Sequence, residues 1–214
     1  MSPLLAQFFL VAGIHLLAVM SPGPDFALVL RNALIYSRRT GVLTAVGLGL
    51  GILVHVTYAI LGVALVISQS IVLFNTIKLI GAGYLIYLGV KAFLYKPSIA
   101  TDQPGNESVV SRTEPTMWAA IRSGFLTNVL NPKATLFFLA LFTQVISPQT
   151  SAGIKILYGA EMSLMTFAWF ALVATLLTQR PVRAAFGRVQ HRLEQIFGVI
   201  LVGLGISIAV QSRH

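Results

Sequence analysis

A carboxylate and two prolines interrupt the first apolar run of the chain, which begins at Pro3 and ends near Leu30. The interruption reads Ser21-Pro22-Gly23-Pro24-Asp25. Proline has no backbone N–H, and its ring clashes with the carbonyl four residues earlier, so a helix must break or kink at such a stretch. A carboxylate in hydrocarbon is costly and rarely accidental. The chain therefore cannot cross a membrane here as a plain helix, and the other segments have to be arranged around a break.

Composition places these segments in a lipid bilayer. Hydrophobic residues make up 56% of the 214 residues and charged residues only 10%, whereas soluble domains carry about 25% charged residues. We predict an all-α integral membrane protein with a single transmembrane domain over residues 1–214, whose first span is retained and not cleaved as a signal peptide. The net charge of +9 comes from basic residues in short loops between apolar spans, which argues against nucleic acid as a partner.

Six apolar segments are long enough to cross a hydrocarbon core of about 30 Å. They lie near residues 4–30, 41–67, 71–94, 119–146, 153–178 and 194–211. A polar stretch at about 95–118 separates repeat one (about 4–94) from repeat two (about 119–211). Most Lys and Arg residues lie in the first, third and fifth loops, so the positive-inside rule predicts that these loops are cytoplasmic and that both termini are periplasmic. Gly47 and Gly51 form a GxxxG pair, which predicts close helix packing.

The two halves carry matching interruptions. Ser21-Pro22 precedes Asp25 in the first span, and Asn131-Pro132 precedes Lys133 in the fourth. Because Ser and Asn are good N-caps and proline suits the first helical position, each pair is predicted to begin a second half-helix. Three spans per half make the second repeat inverted, so the two half-helix N-termini should meet near the midplane, where free N–H groups favour an anion. Inverted repeats with interrupted helices indicate a secondary transporter.

Two opposite charges lie close to these breaks. Asp25 could hold a substrate ammonium or a coupling proton, and Lys133 could attract a carboxylate or neutralise Asp25. The alternative is a fixed ion pair that only holds two helices together. Glu161 is a second carboxylate within a span, which makes it a functional candidate. His55 is a further candidate, whereas a lone helical histidine such as His15 more often serves packing.

Asn128, one turn before the second break, could line the same cavity. The predicted substrate-binding or proton-coupling set is Ser21, Pro22, Gly23, Pro24, Asp25, His55, Asn128, Asn131, Pro132, Lys133 and Glu161.

Other function classes lack their sequence signatures. The chain has no Gly-rich phosphate loop, no nucleophile elbow, no helical His pair and no cysteine. We therefore predict that it is not an enzyme and has neither a cofactor nor a metal site. A cation or metal exporter on the same scaffold and a passive small-solute channel remain as alternatives.

The chain resembles the LysE/RhtB family of bacterial amino-acid exporters, most closely its threonine type. The resemblance covers roughly residues 5–210 and rests on Met20-Ser21-Pro22-Gly23-Pro24-Asp25, on Leu126-Thr127-Asn128-Val129-Leu130-Asn131-Pro132-Lys133-Ala134, and on Glu161 followed by Ala168-Trp169-Phe170. It implies six spans in the bacterial inner membrane. It also implies efflux of a small amino acid or derivative, such as threonine or homoserine, by proton antiport. The partners are then the amino acid, protons and lipid, and the oligomeric state, a homo-oligomer included, stays open.

Overall fold

Helices make up almost all of the part of the chain that the structure describes. The computed structural model describes residues 3–21, 23–69, 71–94, 113–144 and 150–211, and no strand occurs in them. The helices in these ranges are α1 (Pro3–Met20), α2 (Pro24–Ile35), α3 (Arg38–Gln69), α4 (Ile71–Phe93), α5 (Met117–Val129), α6 (Pro132–Gln144), α7 (Ala152–Leu176) and α8 (Arg180–Gln211). The all-α prediction is confirmed. Most of the polar stretch between the repeats, residues 95–112, lies outside the described ranges.

The interruptions occur in the two segments where proline predicts them. The axes of α1 and α2 differ by 57°, and those of α5 and α6 also differ by 57°. By length and composition, α3 and α7 can each cross a membrane, and the two bent pairs raise the number to four over the described residues. The chain is thus a helical membrane protein with two broken helices, while the full count of six spans stays a prediction.

Two helices extend beyond the spans that the sequence predicts. The last helix begins at Arg180 and not near residue 194, and α2 continues to Ile35 beyond Leu30. Both extensions have one cause: charged and polar residues end the apolar segment that can lie in the membrane, but they do not end the helix. Arginine is a good helix former, so the basic stretch before residue 194 extends the helix out of the apolar region.

Glycines let the long helices approach closely. A Cβ added to Gly47 of α3 would lie 2.0 Å from the carbonyl oxygen of Ile121, and one added to Gly124 of α5 would lie 2.1 Å from that of Thr44. Between α4 and α8, a Cβ on Gly89 would lie 2.6 Å from the carbonyl oxygen of Gly198. The close packing predicted from the GxxxG pair is confirmed.

Two apolar clusters lie on either side of the helix breaks, and α3 and α7 run through both. The first cluster comprises Val11, Ile14, Ile52, Val56, Ala59, Phe137, Phe138, Leu141, Phe142, Tyr158 and Met162. The second comprises Phe26, Val29, Ala33, Ala45, Leu48, Phe170, Val173, Ala174 and Leu177. Polar groups at the breaks are therefore enclosed between two apolar layers, which restrict their contact with water.

The segment before α5 also fixes the start of α3. The Ser37 hydroxyl accepts from Thr40 N (3.1 Å), and the Glu114 carboxylate accepts from the hydroxyls of Ser37 and Thr40. A carboxylate at a helix N-terminus is favoured by the helix dipole. The hydroxyls of Ser37 and then Thr40 hold the pKa of the exposed Glu114 carboxyl below its usual range. Glu114 thus joins the entrance of α5 to the N-terminus of α3.

We expect Gly47→Ala to lower the stability of the protein, because the added methyl group would overlap the α5 backbone. Overpacking of this kind costs about 1–3 kcal/mol. Gly62→Ala on the same helix is the matched control, since its Cβ meets nothing within 4 Å and alanine favours a helix interior. The measurement is the melting temperature in detergent. A Gly47→Ala protein as stable as the Gly62→Ala protein would contradict the packing.

We expect Glu114→Gln to lower the melting temperature at pH 7. The carboxyl has a lowered folded-state pKa, so its stabilisation is present above the unfolded value of about 4.3 and is lost as pH falls through the folded value. Melting curves of both proteins between pH 7 and pH 3.5 should therefore converge at the acidic end. A difference that stays constant over this range would show that the Glu114 charge does not contribute.

Candidate functional site

The first break differs in detail from the prediction. Helix α2 begins at Pro24, with Gly23 as its extended N-cap and no side-chain capping bond. Ser21 ends α1 by donating its N–H to the Leu17 carbonyl (3.1 Å), so its predicted capping role is wrong. Two prolines in close succession explain this, because a residue before proline avoids helical geometry and the last proline then sets the helix start. Pro22 itself lies outside the described residues.

The second break follows the prediction. Helix α6 begins at Pro132, and the Oδ1 of Asn131 accepts from the Lys133 N–H (3.0 Å), as an N-cap side chain does. Because this bond occupies Oδ1, the amide nitrogen of Asn131 has to point the other way, toward the first break.

One carboxylate joins the two breaks. Asp25 Oδ2 accepts from Asn128 Nδ2 (2.7 Å), and Asp25 Oδ1 accepts from Asn131 Nδ2 (3.2 Å). Asp25 lies in the first turn of α2, while its partners end α5 and cap α6. An N–H donor on each oxygen is the arrangement that suits an ionised carboxylate. These two hydrogen bonds connect the first break to the second, and they hold α2 against the end of α5 and the start of α6.

The ammonium group of Lys133 makes the reciprocal contact from α6 to the first break. Its Nζ donates to the Ser21 hydroxyl (2.6 Å) and to the Ser21 carbonyl (3.3 Å). Lys133 packs beside Gly23, where an added Cβ would lie at van der Waals distance, 3.8 Å, from Nζ. Lys133 and Asp25 therefore lie at one site, each bonded to uncharged partners across the break.

These groups line one cavity of about 50 Å³ between the two apolar clusters. Of the predicted set, the cavity is lined by Ser21, Gly23, Asp25, Asn128, Asn131 and Lys133. The other lining residues are His15, Ala18, Val19, Phe26, Ile52, Ala134, Phe137, Phe138, Thr166 and Phe170. The volume suffices for a few water molecules at about 10–15 Å³ each.

His55 lies behind this cavity and does not line it. Its side chain is completely buried, and Nε2 donates to the Asn128 carbonyl (2.9 Å). Pro132 has no N–H with which to bond that carbonyl. The carbonyl accepts from the Asn131 N–H (2.9 Å), and the histidine takes its second lone pair. The Nδ1 of His55 lies 2.6 Å from the Tyr58 hydroxyl. His55 is therefore placed to position Asn128. The sequence alone could not distinguish this supporting role from direct contact between His55 and a substrate.

Gly51 contributes to the same support. A Cβ at this position would lie 2.6 Å from Asn128 Oδ1. The second glycine of the GxxxG pair thus makes space for a side chain that bonds Asp25, in addition to allowing close helix packing.

Glu161 does not line the cavity with Asp25. Its two carboxyl oxygens are buried and have no hydrogen-bond partner among the described residues.

The prolines of the predicted set that the structure describes, Pro24 and Pro132, are exposed at the first position of their helices. They act on the site through the backbone.

The sequence reasoning missed His15 and Thr166. His15 lines the cavity with 1% of its surface exposed, and its Nε2 lies 3.4 Å from the Thr166 hydroxyl. His15 shares one face of α1 with Ala18 and Val19, three and four residues later, which also line the cavity. Thr166 lies in an unbroken helix, and no local signal distinguishes it.

The residues of the site offer amides, a hydroxyl and one charge of each sign. Within the ranges that the structure describes, no three His, Asp or Glu side chains gather as metal ligands would. A carboxylate and an ammonium in one cavity suit a small molecule that carries both charges.

The chain is similar to known membrane proteins over almost its whole length. Residues 16–212 match the family described as LysE type translocator. The threonine efflux protein of Salmonella typhi is 31% identical over 97% of this chain and 99% of its own length. The membrane protein YrhP of Bacillus subtilis is 32% identical over 88% of this chain and 91% of its own length.

The threonine efflux protein of Escherichia coli strain K12 is 29% identical over 97% of this chain and 99% of its own length. No solved structure is significantly similar to the chain. The family match extends across the two helix breaks and across every residue that lines the cavity except His15. The chain therefore belongs to the LysE family of translocators, and it is a membrane transporter and not an enzyme.

Proposed function

We propose that the protein exports a small amino acid or derivative, of the threonine or homoserine kind, across the bacterial inner membrane by proton antiport. Relatives that match nearly the full chain are named threonine efflux proteins. The observation that carries the proposal is the cavity in which Asp25 from one broken helix and Lys133 from the other face a common space.

Each charge of a zwitterion has a natural partner in this cavity. The substrate ammonium would replace the two amide donors on Asp25. The substrate carboxylate would take the Lys133 ammonium from Ser21 and face the N-terminal ends of α2 and α6, where the helix dipole favours an anion. Charged groups that are bonded to neutral partners can exchange them for opposite charges, because an ion pair adds Coulomb attraction to the hydrogen bond.

Competition at Asp25 would couple export to protons. One carboxylate can hold a substrate ammonium or a proton, but not both. Substrate arriving from the cytoplasm would displace the proton inward, and a proton from the periplasm would displace the substrate outward. Such mutual exclusion makes the two fluxes opposite in direction. Glu161, a buried carboxylate outside the cavity, is proposed as a second protonation site.

The proposed topology has six spans in two inverted repeats, with a cytoplasmic loop at about 95–118 and both termini periplasmic. The equal bends of the two broken helices support it. The packing of α3 against α7 and of α4 against α8 also supports it, because each pair joins a helix of one half to its counterpart in the other. A cavity of about 50 Å³ has to widen before it admits an amino acid, as alternating access requires.

We expect purified protein in proteoliposomes to accumulate labelled threonine against its gradient when a pH gradient is imposed, and to exchange internal for external threonine without one. Collapsing the gradient with a protonophore should stop accumulation and leave exchange intact. Flux that neither saturates nor responds to pH would favour a passive channel and contradict the proposal.

Asp25→Asn should reduce pH-driven accumulation at least about tenfold, because the amide can neither carry the proton nor offer a negative charge to the substrate ammonium. Asp25→Glu is the matched control, since it keeps the charge with one added methylene and should retain part of the activity. Melting temperatures of both variants separate a folding defect from a transport defect. Normal pH-driven transport by a folded Asp25→Asn protein would exclude Asp25 as the proton carrier.

A further inference from the structure

We infer that His15, held by Thr166, selects substrates whose side chain carries a hydroxyl group. The inference rests on the proposed function. It assigns the binding of the substrate side chain to the end of the cavity away from Asp25 and Lys133. His15 and Thr166 are buried and line the same cavity as Asp25 and Lys133.

One nitrogen of His15 is buried without a partner. Nε2 lies 3.4 Å from the Thr166 hydroxyl, whereas Nδ1 makes no hydrogen bond to any described residue. Buried polar atoms are nearly always hydrogen-bonded, and an exception calls for a specific explanation. A substrate atom in the cavity provides one.

Aromatic rings fix the direction of the His15 imidazole. Its centroid lies 5.7 Å from that of Phe138, edge to face, and 6.3 Å from that of Phe137. Phe138 also stacks on His55 at 5.4 Å. Ile52 and Phe170 add further apolar walls. A polar nitrogen with apolar neighbours has a strong preference for a partner that can bond it.

The distance from the charges suits the side chain of an amino acid. His15 lies six residues before Ser21, which corresponds to about 9 Å along the helix axis. A substrate bound through its ammonium and carboxylate at the breaks would direct its side chain into the space between them.

A hydroxyl is the group that matches this nitrogen in either state. A neutral imidazole nitrogen is a donor in one tautomer and an acceptor in the other, and a hydroxyl can both accept and donate. A methyl group can do neither and would leave Nδ1 unsatisfied. A charged side chain would bring its charge into an apolar region with one neutral partner. The geometry therefore favours small hydroxyl-bearing amino acids over their aliphatic equivalents.

Threonine and valine test this most directly, since a hydroxyl in one replaces a methyl in the other. Initial rates of labelled threonine and valine are measured at equal concentration in proteoliposomes. The wild-type protein should prefer threonine by about tenfold or more, because sites built to bond a hydroxyl reject analogues that lack it. His15→Phe should bring the ratio close to one, and His15→Gln, which keeps a donor and an acceptor, should retain most of the preference.

Thr166→Val removes the hydroxyl that holds His15 and should give an intermediate ratio. Thr175→Val is the matched control on the same helix, because the Thr175 hydroxyl donates to the Ala171 carbonyl of its own helix (2.9 Å) and should leave the ratio unchanged. These two variants also decide the question if His15→Phe fails to fold.

Equal transport of threonine and valine by the wild-type protein would overturn the inference and leave the proposed function standing. An undiminished threonine preference in folded His15→Phe would also overturn it. Transport of no amino acid at all by the wild-type protein would contradict the proposed function itself.

Discussion

The structure depends on one carboxylate that accepts hydrogen bonds from both sides of a double helix break. Asp25 enters from α2, and its two oxygens accept from amides at the end of α5 and the cap of α6. Breaking two helices frees backbone groups that hydrocarbon cannot satisfy. The Asn131 side chain and His55 bond groups freed at the second break, and Lys133 bonds the Ser21 carbonyl at the first. The charged side chains therefore stabilise the helix breaks by bonding groups at them, and the residues at the breaks stabilise the charges by bonding them in turn.

The surrounding helices explain how such a polar centre persists between two apolar clusters. Glycines on α3 bring α5 close enough for its last turn to reach Asp25, and Gly51 leaves space for the Asn128 amide. Aromatic rings of α6 cover the centre and separate His55, which supports Asn128, from His15, which faces the cavity. Enclosure between apolar layers strengthens each electrostatic contact. It also makes an unpaired charge costly, which favours a substrate that presents both charges at once.

Much of the site could be predicted from the sequence because proline acts locally. The positions of both breaks, the cap at Asn131 and the meeting of Asp25 with Lys133 follow from proline geometry and the rarity of charge in apolar segments. The predicted start of α2 was wrong. Ser21-Pro22 and Gly23-Pro24 are equivalent local signals for a helix start, and in the structure the helix begins at the later proline. The contributions of His15 and Thr166 depend on how α1 packs against α7, and the start of α8 depends on helix propensity outside the membrane.

The central claim is that substrate and proton compete for Asp25. Calorimetric binding of threonine to purified protein, repeated in buffers with different ionisation enthalpies, measures the protons exchanged on binding. The account predicts that wild-type protein releases protons when threonine binds at a pH where Asp25 is partly protonated, and that Asp25→Asn releases none. Threonine binding without proton release from the wild-type protein at any pH would contradict it.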